Sequence, residues 1–330
     1  MRITHILGIL LIPVLLVLSA CSSSVPVQPS PATTGPTQPP TGLPSAISTT
    51  VPASSVASPT AALSPPKTLS VHFIDVGQGD ATLIDFGETE ILIDGGEKVP
   101  GVVDYIRPFV DGPLDVLIAT HSDGDHIGGL ADVLANYQVN DVWINGLTAS
   151  TQVYSTFMNA LNVEGAAVHT AELGSLIQAG TLKFECYNPV KPLLSDGNND
   201  SIVCSLRYAS VVFLFTGDAS SKAEGRMLVQ SMMPLPDCDV LKVGFHGNRG
   251  ASTPAFLSVV KPEVAVYSCA KVNSWGSPGQ ETLANLDNIG AAVYGTDVHG
   301  TVVVTTDGIK YAVQPARQLP PVKPSRANPS

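Results

Sequence analysis

The stretch Thr120-His-Ser-Asp-Gly-Asp-His-Ile-Gly-Gly129 decides how this chain is read. It follows Leu114 to Ala119, an apolar run that predicts a buried strand. The polar cluster therefore stands where binding groups collect in α/β folds, just past a strand end. Four of its residues, His121, Asp123, Asp125 and His126, carry metal-binding atoms. Solvated turns gather Asp, Ser and Gly, but they do not require two histidines flanking two aspartates. Imidazole and carboxylate together suit a divalent transition ion, and alternate positions on a loop leaving a strand can converge on one point.

Two more candidates occupy equivalent places further along. Asp218 follows Phe215-Thr-Gly217, and His246 follows Val240-Leu-Lys-Val-Gly244. Either alone would suit a helix cap or a core histidine. With the first cluster they make three histidines and three aspartates, enough for two metal ions sharing a bridging carboxylate.

Around these residues the pattern is that of a large α/β domain. Val71 to Ile74, Ala81 to Phe86 and Ile91 to Ile93 predict three hairpin-linked strands separated by glycine-containing turns. A helix over Val102 to Phe109, the strand over Leu114 to Thr120, and a helix beginning near Leu130 follow. The second half repeats the plan. Strands are expected at Leu182 to Tyr187, Ser201 to Tyr208 and Val211 to Phe215, then a helix from Ser221 to Met232. Strand Val240 to Val243, helix Thr253 to Val260, strand Val264 to Ser268 and helix Glu281 to Ile289 come next, before strands at Ala292 to Tyr294 and Thr301 to Thr305. Hairpins followed by strand–helix alternation, in each half, imply two sheets packed between helical layers.

The ends differ from this core. Of 27 prolines, 11 lie in residues 22–67 and 5 in residues 314–330, so the ordered domain is expected over residues 68–313 and a disordered tail over 314–330. Arg2 and the uncharged apolar run Ile6 to Ala20 have the form of a signal peptide, residues 1–20, too short for a membrane span. Leu18-Ser-Ala-Cys21 resembles the lipobox of bacterial lipoproteins, which makes Cys21 the lipidated residue and residues 21–67 a Pro/Ser/Thr tether. The expected place is the extracytoplasmic face of the cell membrane. Cys186 and Cys204 lie on neighbouring strand-like runs, where a disulfide and buried thiols both fit the pattern.

Charge sets a limit on function. All 28 acidic residues lie between Asp75 and Asp307, against 12 basic residues in the 68–313 segment, a formal charge of −16. A broadly basic nucleic-acid-binding face is excluded, whereas bound cations that offset clustered carboxylates remain compatible with an anionic substrate.

The motifs as a set resemble the metallo-β-lactamase fold, and in detail the domain of that fold in ComEC-type competence proteins. The resemblance is carried by Phe73-Ile-Asp-Val-Gly-Gln-Gly-Asp80, Ile93-Asp-Gly-Gly96, the 120–129 stretch, Asn198-Asn-Asp-Ser201, Phe215-Thr-Gly-Asp218 and Leu241-Lys-Val-Gly-Phe-His-Gly247. It implies an αββα sandwich holding two zinc or manganese ions at the sheet edges. His121, Asp123 and Asp218 would bind one ion. Asp125, His126, Asp218 and His246 would bind the other, with Asp218 bridging. Asp123 replaces the histidine usual in the superfamily, which shifts that site toward oxygen-preferring ions. Asp75, Gln78, Asp80 and Asp94 would orient imidazole N–H groups and loop amides, unless they are ordinary turn groups. Asn199 and Asp200 are the nearest substitutes for a missing third-motif histidine. Lys242 and Arg249 are placed to meet anionic oxygens. Where ComEC-type sequences commonly have histidines, this chain has Phe245 and, within Asn273-Ser-Trp-Gly-Ser-Pro278, Ser277.

The function implied is that of a dinuclear metal-dependent hydrolase, of phosphodiesters by resemblance, with Asp125 both binding metal and orienting the attacking water. Two alternatives stand beside it: a module that holds nucleic acid for an uptake system without cutting it, and a hydrolase of another ester or amide. The sequence holds no second apolar run of ~20 residues, so any transport channel would be a separate partner. The anchor is testable directly. The protein made with its own leader is expected in the membrane fraction bearing more than one acyl chain, since one anchors only marginally, and Cys21→Ser is expected to block acylation by mass spectrometry.

Overall fold

The structure, a computed structural model, describes residues 67–230 and 232–325. The expected leader, Cys21 and all but the end of the tether lie outside these residues. The chain runs through β1 (Leu69–Phe73), β2 (Thr82–Asp85), β3 (Glu90–Ile93), β4 (Leu114–Ala119), β5 (Val139–Ile144) and β6 (Ala167–Thr170). It then enters a second sheet through β7 (Leu176–Ala179), β8 (Leu182–Asn188), β9 (Val203–Tyr208), β10 (Val211–Phe215), β11 (Val240–Lys242), β12 (Val264–Tyr267) and β13 (Ala292–Gly295). Finally β14 (Val302–Thr306) and β15 (Tyr311–Pro315) return to the first sheet. Strand orders are β15-β14-β1-β2-β3-β4-β5-β6 and β13-β12-β11-β10-β9-β8-β7.

Helices α1 (Val103–Ile106), α2 (Gly124–Ile127), α3 (Leu130–Asn136) and α4 (Gln152–Glu164) accompany the first sheet; α5 (Ser221–Val229), α6 (Pro254–Val260) and α7 (Gln280–Asn288) the second; α8 (Thr296–His299) precedes β14. Three apolar layers make this an αββα sandwich. Phe73, Ile84, Val304, Phe184, Phe213 and Phe215 fill the space between the sheets. Ile106, Leu130, Val133 and Phe157 seal the first sheet's outer face, and Met227, Phe256, Leu257 and Leu286 seal the second's. Each such side chain contributes ~1.5–3 kcal/mol on burial. Short, near-continuous apolar runs bounded by glycine turns mark β1–β3 because both faces of these strands are buried, one against the inter-sheet core and the other under the helices.

Residues 139–179 carry four elements that the sequence pattern does not predict. The β6 strand is almost wholly exposed, so it lacks an apolar alternation. Helix α4 does have terminal signals: the Thr151 hydroxyl accepts the Tyr154 N–H, and Gly165 ends it at φ 82°. The helix expected over Val102 to Phe109 shrinks to one turn.

The C-terminus departs further from expectation: of the disordered tail expected over residues 314–330, the part through residue 325 is ordered and packed. Gln314 and Pro315 pair with Val303 and Val302, the Arg317 guanidinium donates to the Thr296 and Val298 carbonyls, and the Val322 N–H donates to the Val293 carbonyl. Backbone pairing and a cation at a helix C-terminus outweigh the high proline content through residue 325. Cys186 and Cys204 are register partners across β8 and β9, and all four described cysteines are buried free thiols.

Glu90 lies directly opposite Asp85 on β2 and β3 and is only 2 % exposed. Burial first, then Asp111, Asp85 and Asp115, push its carboxyl up to about 7. A proton is thus retained in the folded protein over a pH range where the unfolded chain has already released it. The destabilisation is absent below the unfolded carboxyl's pKa and grows as pH rises toward 7. Glu90→Gln is therefore expected to gain thermal stability over the wild type progressively between pH 5 and pH 8, read as the difference in Tm.

Candidate metal centre

The site is built at one end of the sandwich, where β4, β10 and β11 finish. These belong to the parallel parts of their sheets, so their carboxyl ends point the same way and their following loops meet. The loop after β4 carries His121, Asp123, Asp125 and His126. The loop after β10 carries Asp218, and a one-turn 3-10 helix after β11, Phe245–Gly247, carries His246.

Asp218 is the centre of the arrangement. Its carboxylate lies 3.3 Å from His126 Nε2, 3.3 Å from His246 Nε2 and 3.9 Å from His121 Nε2. Asp125 reaches His246 Nε2 at 3.1 Å, and Asp123 reaches His121 Nε2 at 3.6 Å. All six expected ligands are thus brought together. Asp123 caps α2 without its carboxylate accepting any helix N–H, which leaves both oxygens free to face the cleft.

Each imidazole has its other nitrogen fixed. His126 Nδ1 faces Asp94 at 2.8 Å, and His246 Nδ1 donates to the Ser268 carbonyl at 3.1 Å. Thr120 Oγ1 gives its proton to Asp94 at 2.7 Å, so it can only accept from His121 Nδ1, 3.1 Å away. These partners place protons on all three Nδ1 atoms of the neutral rings and turn three bare Nε2 atoms toward Asp218. His126 Nε2 and His246 Nε2 are only 3.3 Å apart. His121 Nε2 and Asp218 Oδ1 are buried without a hydrogen-bond partner. Convergent lone pairs around a buried carboxylate are repulsive unless a cation lies between them, so the donor set fits divalent metal.

The electrostatics show the same demand for positive charge, met by protons on the imidazoles in the absence of metal and displaced when a cation binds. Burial alone would lower the pKa of both His126 and His246, but Asp218 leads a group of carboxylates that holds each well above the ordinary histidine value. Burial would raise Asp218, yet His246 and His126 hold it well below the carboxylate range.

Backbone geometry supports the same centre. Phe245 and His246 have φ of 51° and 53°, a pair of left-handed non-glycine residues that sets the His246 ring at a sparsely populated conformation. Gly79, at φ 126°, lies so close to the Asp125 carbonyl that a Cβ would stand 2.1 Å from it, and the Asp80 N–H donates to that carbonyl. The glycine-rich hairpin thereby clamps the metal loop.

Several expected supporting residues take other roles. Asp94 orients His126 as expected. Asp80 lies 3.7 Å from His246 Nδ1 and 2.6 Å from Lys242 Nζ, so it backs His246 from behind while the buried Lys242 neutralises it. Lys242 is therefore not free to meet substrate. Asp75 does not face the ligands: its carboxylate accepts the Gly77 N–H and lies 3.8 Å from Arg317. Gln78 lines the cleft and accepts the Ala270 N–H. Asn199 and Asp200 are not ligands, because both are consumed locally. Asn199 accepts from Ser220 and Ala223 at the start of α5, and Asp200 accepts the Leu194 and Asp196 N–H groups. Asn273 ties its own loop together through Ser277 and Trp275, while Ser277 lines the cleft with its hydroxyl unpartnered.

Three contributors carry no signal that sequence reasoning detects: Thr120, the Ser268 carbonyl, and Ser201, whose hydroxyl accepts the Asp218 N–H at 3.1 Å and lies 3.3 Å from His121 Nδ1. Ser201 ends the Asn198–Ser201 motif, but nothing about a serine at a strand start announces contact with two other loops.

Residues 74–160 match the sequence profile of the Metallo-beta-lactamase superfamily. The chain belongs to that superfamily. Its metallo-β-lactamase domain is of the ComEC type: the chain is 30% identical over 254 residues to ComE operon protein 3 of Bacillus subtilis (strain 168), covering 70% of this chain and 32% of that protein. It is also 30% identical over 256 residues to Recombination protein 2 of Haemophilus influenzae, covering 76% of this chain and 30% of that one. The chain thus spans about a third of the length of these relatives. Among solved structures it is similar to the metallo-β-lactamase fold protein YhfI from Bacillus subtilis, at 12% identity and TM-score 0.49, over 73% of this chain and 100% of that one. Among the described residues, no helix is long and apolar enough to cross a membrane.

The hydrogen bonds behind the ligands give a direct test. Asp94→Ala removes the group that fixes the His126 tautomer and the Thr120 hydroxyl without removing any ligand. The dissociation constant for zinc, measured by competition with a chelating dye, is expected to rise ~10–100-fold.

Proposed function

We propose that the chain is a dinuclear metal-dependent phosphodiesterase acting on nucleic acid. The observation that carries the reading is the ring of three Nε2 atoms and the Asp123 and Asp125 carboxylates around buried Asp218. Two divalent ions held there would supply the charge that acidifies a water and polarises the phosphorus–oxygen bond under attack. His121, Asp123 and Asp218 form one half of the cradle; Asp125, His126, His246 and Asp218 form the other.

The protein's own contribution is positional. Asp94, Ser268 and Thr120 hold the imidazoles in one tautomer, so no reorganisation is needed when substrate arrives. Asp125 is the one ligand on the histidine-rich side with a quarter of its side chain exposed to the cleft. Its position suits a carboxylate that orients the attacking water and takes its proton. No side chain at the site is placed as a covalent nucleophile.

The substrate class is supported by the relatives' names, which speak of competence and recombination. It is also supported by the metal charge, which would offset an otherwise acidic domain for a polyanion. The leader and the Leu18–Cys21 lipobox support lipid anchoring on the extracytoplasmic side, with any channel a separate partner.

The test is a hydrolysis panel on the purified full chain with manganese or zinc. DNA or a simple phosphodiester is expected to be cut, and His246→Ala is expected to reduce the rate by orders of magnitude. Asp218→Ala is expected to lose metal from both halves, and Asp123→Ala mainly from one, by elemental analysis. A metal-loaded protein that binds DNA and leaves it intact would make this a binding module. Hydrolysis of a neutral ester or amide alone would keep the dinuclear mechanism and overturn the substrate.

A further inference from the structure

The metal cleft has two compartments. The smaller, about 260 Å³, holds Asp123, Asp125, Asp218, His246 and Ser277. The larger, about 640 Å³, lies between α2, α4 and the 97–99 loop, with Val99, Ile127, Ala131 and Val153 among its walls. Gln78, Asp125 and Trp275 line both, so the two adjoin beside the carboxylate proposed to orient the attacking water. Trp275 is 67% exposed and its indole takes no part in any hydrogen bond or aromatic pair among the described residues. An exposed indole at the mouth of an apolar chamber is costly to keep solvated and provides a flat face for a planar ligand. The chamber is of the size that holds a drug-sized molecule. Lys98, exposed and without an ion pair among the described residues, is the one basic residue lining the chamber and is available to a flanking anionic oxygen.

We propose that the larger compartment is a subsite for an unpaired nucleobase next to the scissile phosphate, stacked on Trp275. The inference rests on the phosphodiester reading of the adjoining centre. A base still paired in a duplex keeps its faces covered by its neighbours and cannot enter a chamber walled by Val99, Ile127 and Val153, so the subsite selects single strands. It also explains how a strongly acidic domain gains affinity for a polyanion: stacking is independent of net charge and is sequence-tolerant, because every base has a π-face.

The full chain supplies two independent readouts. In hydrolysis, Trp275→Ala is expected to lower kcat/KM on oligothymidylate by roughly 5- to 100-fold, mostly through KM, while Trp275→Phe retains most of it. An abasic oligomer of equal length is expected to be cut poorly by the wild type and equally by the variants. In binding, oligothymidylate is expected to quench the fluorescence of the zinc-loaded protein, and neither the abasic oligomer nor a duplex to do so to the same degree. The second tryptophan, Trp143, is stacked on His169 with centroids 4.8 Å apart and serves as the internal reference in Trp275→Phe, where the quench should vanish. Equal effects of Trp275→Ala on both oligomers, or equal quenching by single strand and duplex, would overturn the subsite. If no oligomer is cut, the phosphodiesterase reading fails by itself, and the fluorescence arm still decides whether a base binds at Trp275. A circular dichroism melt of Trp275→Ala, expected to match the wild type because the side chain is exposed, separates lost stacking from lost folding.

Discussion

Buried negative charge is the constraint around which this end of the molecule is organised. Asp218 has both oxygens inside the protein, with one lacking any hydrogen-bond partner, and three imidazole nitrogens converge on it. Taking an ionised carboxylate out of water costs several kcal/mol unless cations or donors replace the lost hydration. The surrounding residues are arranged to hold that unfavourable cluster open rather than let it collapse. Asp94 fixes His126, Ser268 fixes His246, and Ser201 receives the Asp218 N–H. The strained backbone at Phe245 and His246 belongs to the same arrangement, since an extended residue there would swing the imidazole out of the ring of donors.

A second buried pair shields this cluster from the core. Lys242 neutralises Asp80 at 2.6 Å, and Asp80 in turn faces the Nδ1 side of His246. The pair leaves the metal side of the ring to Asp125 and Asp218. Because Lys242 is spent in this way, the positive charge that the proposed anionic substrate would meet has to come from metal held at the site and from the exposed rim. The two-chamber cleft fits that division, with charge handled at the polar end and shape at the apolar end.

The convergence of the six candidate ligands was legible because the set is local and chemically unusual. Four ligands fall in six residues of the 121–126 loop, and each remaining ligand directly follows an apolar strand with a Thr-Gly or Val-Gly turn. The supporting groups were not legible to the same degree. Asp75, Asp80 and Asp94 look alike in sequence, as carboxylates beside glycine-rich turns. Asp94 holds a ligand in place, Asp80 is neutralised behind another, and Asp75 meets the C-terminal segment. Nothing near them in the chain distinguishes these fates, because the deciding partners are 32, 162 and 242 positions away. Asn199 and Asp200 failed as ligands for the same reason: their own loop and α5 satisfy them first.

Hydrophobic periodicity and ligand chemistry, both short-range properties, determined from the sequence alone that two strand–helix halves would make a layered sandwich with a metal-binding end. Tertiary structure decided what periodicity does not encode. It showed that three different neighbours impose the same tautomer on three histidines, that Lys242 is buried rather than free, and that residues through 325 pack despite their prolines. It also placed Trp275 on the boundary shared by the two chambers. Each of these outcomes depends on which loops meet across the gap between the sheets, and that meeting is fixed by the packing of Phe73, Phe184, Phe213 and Phe215 between them.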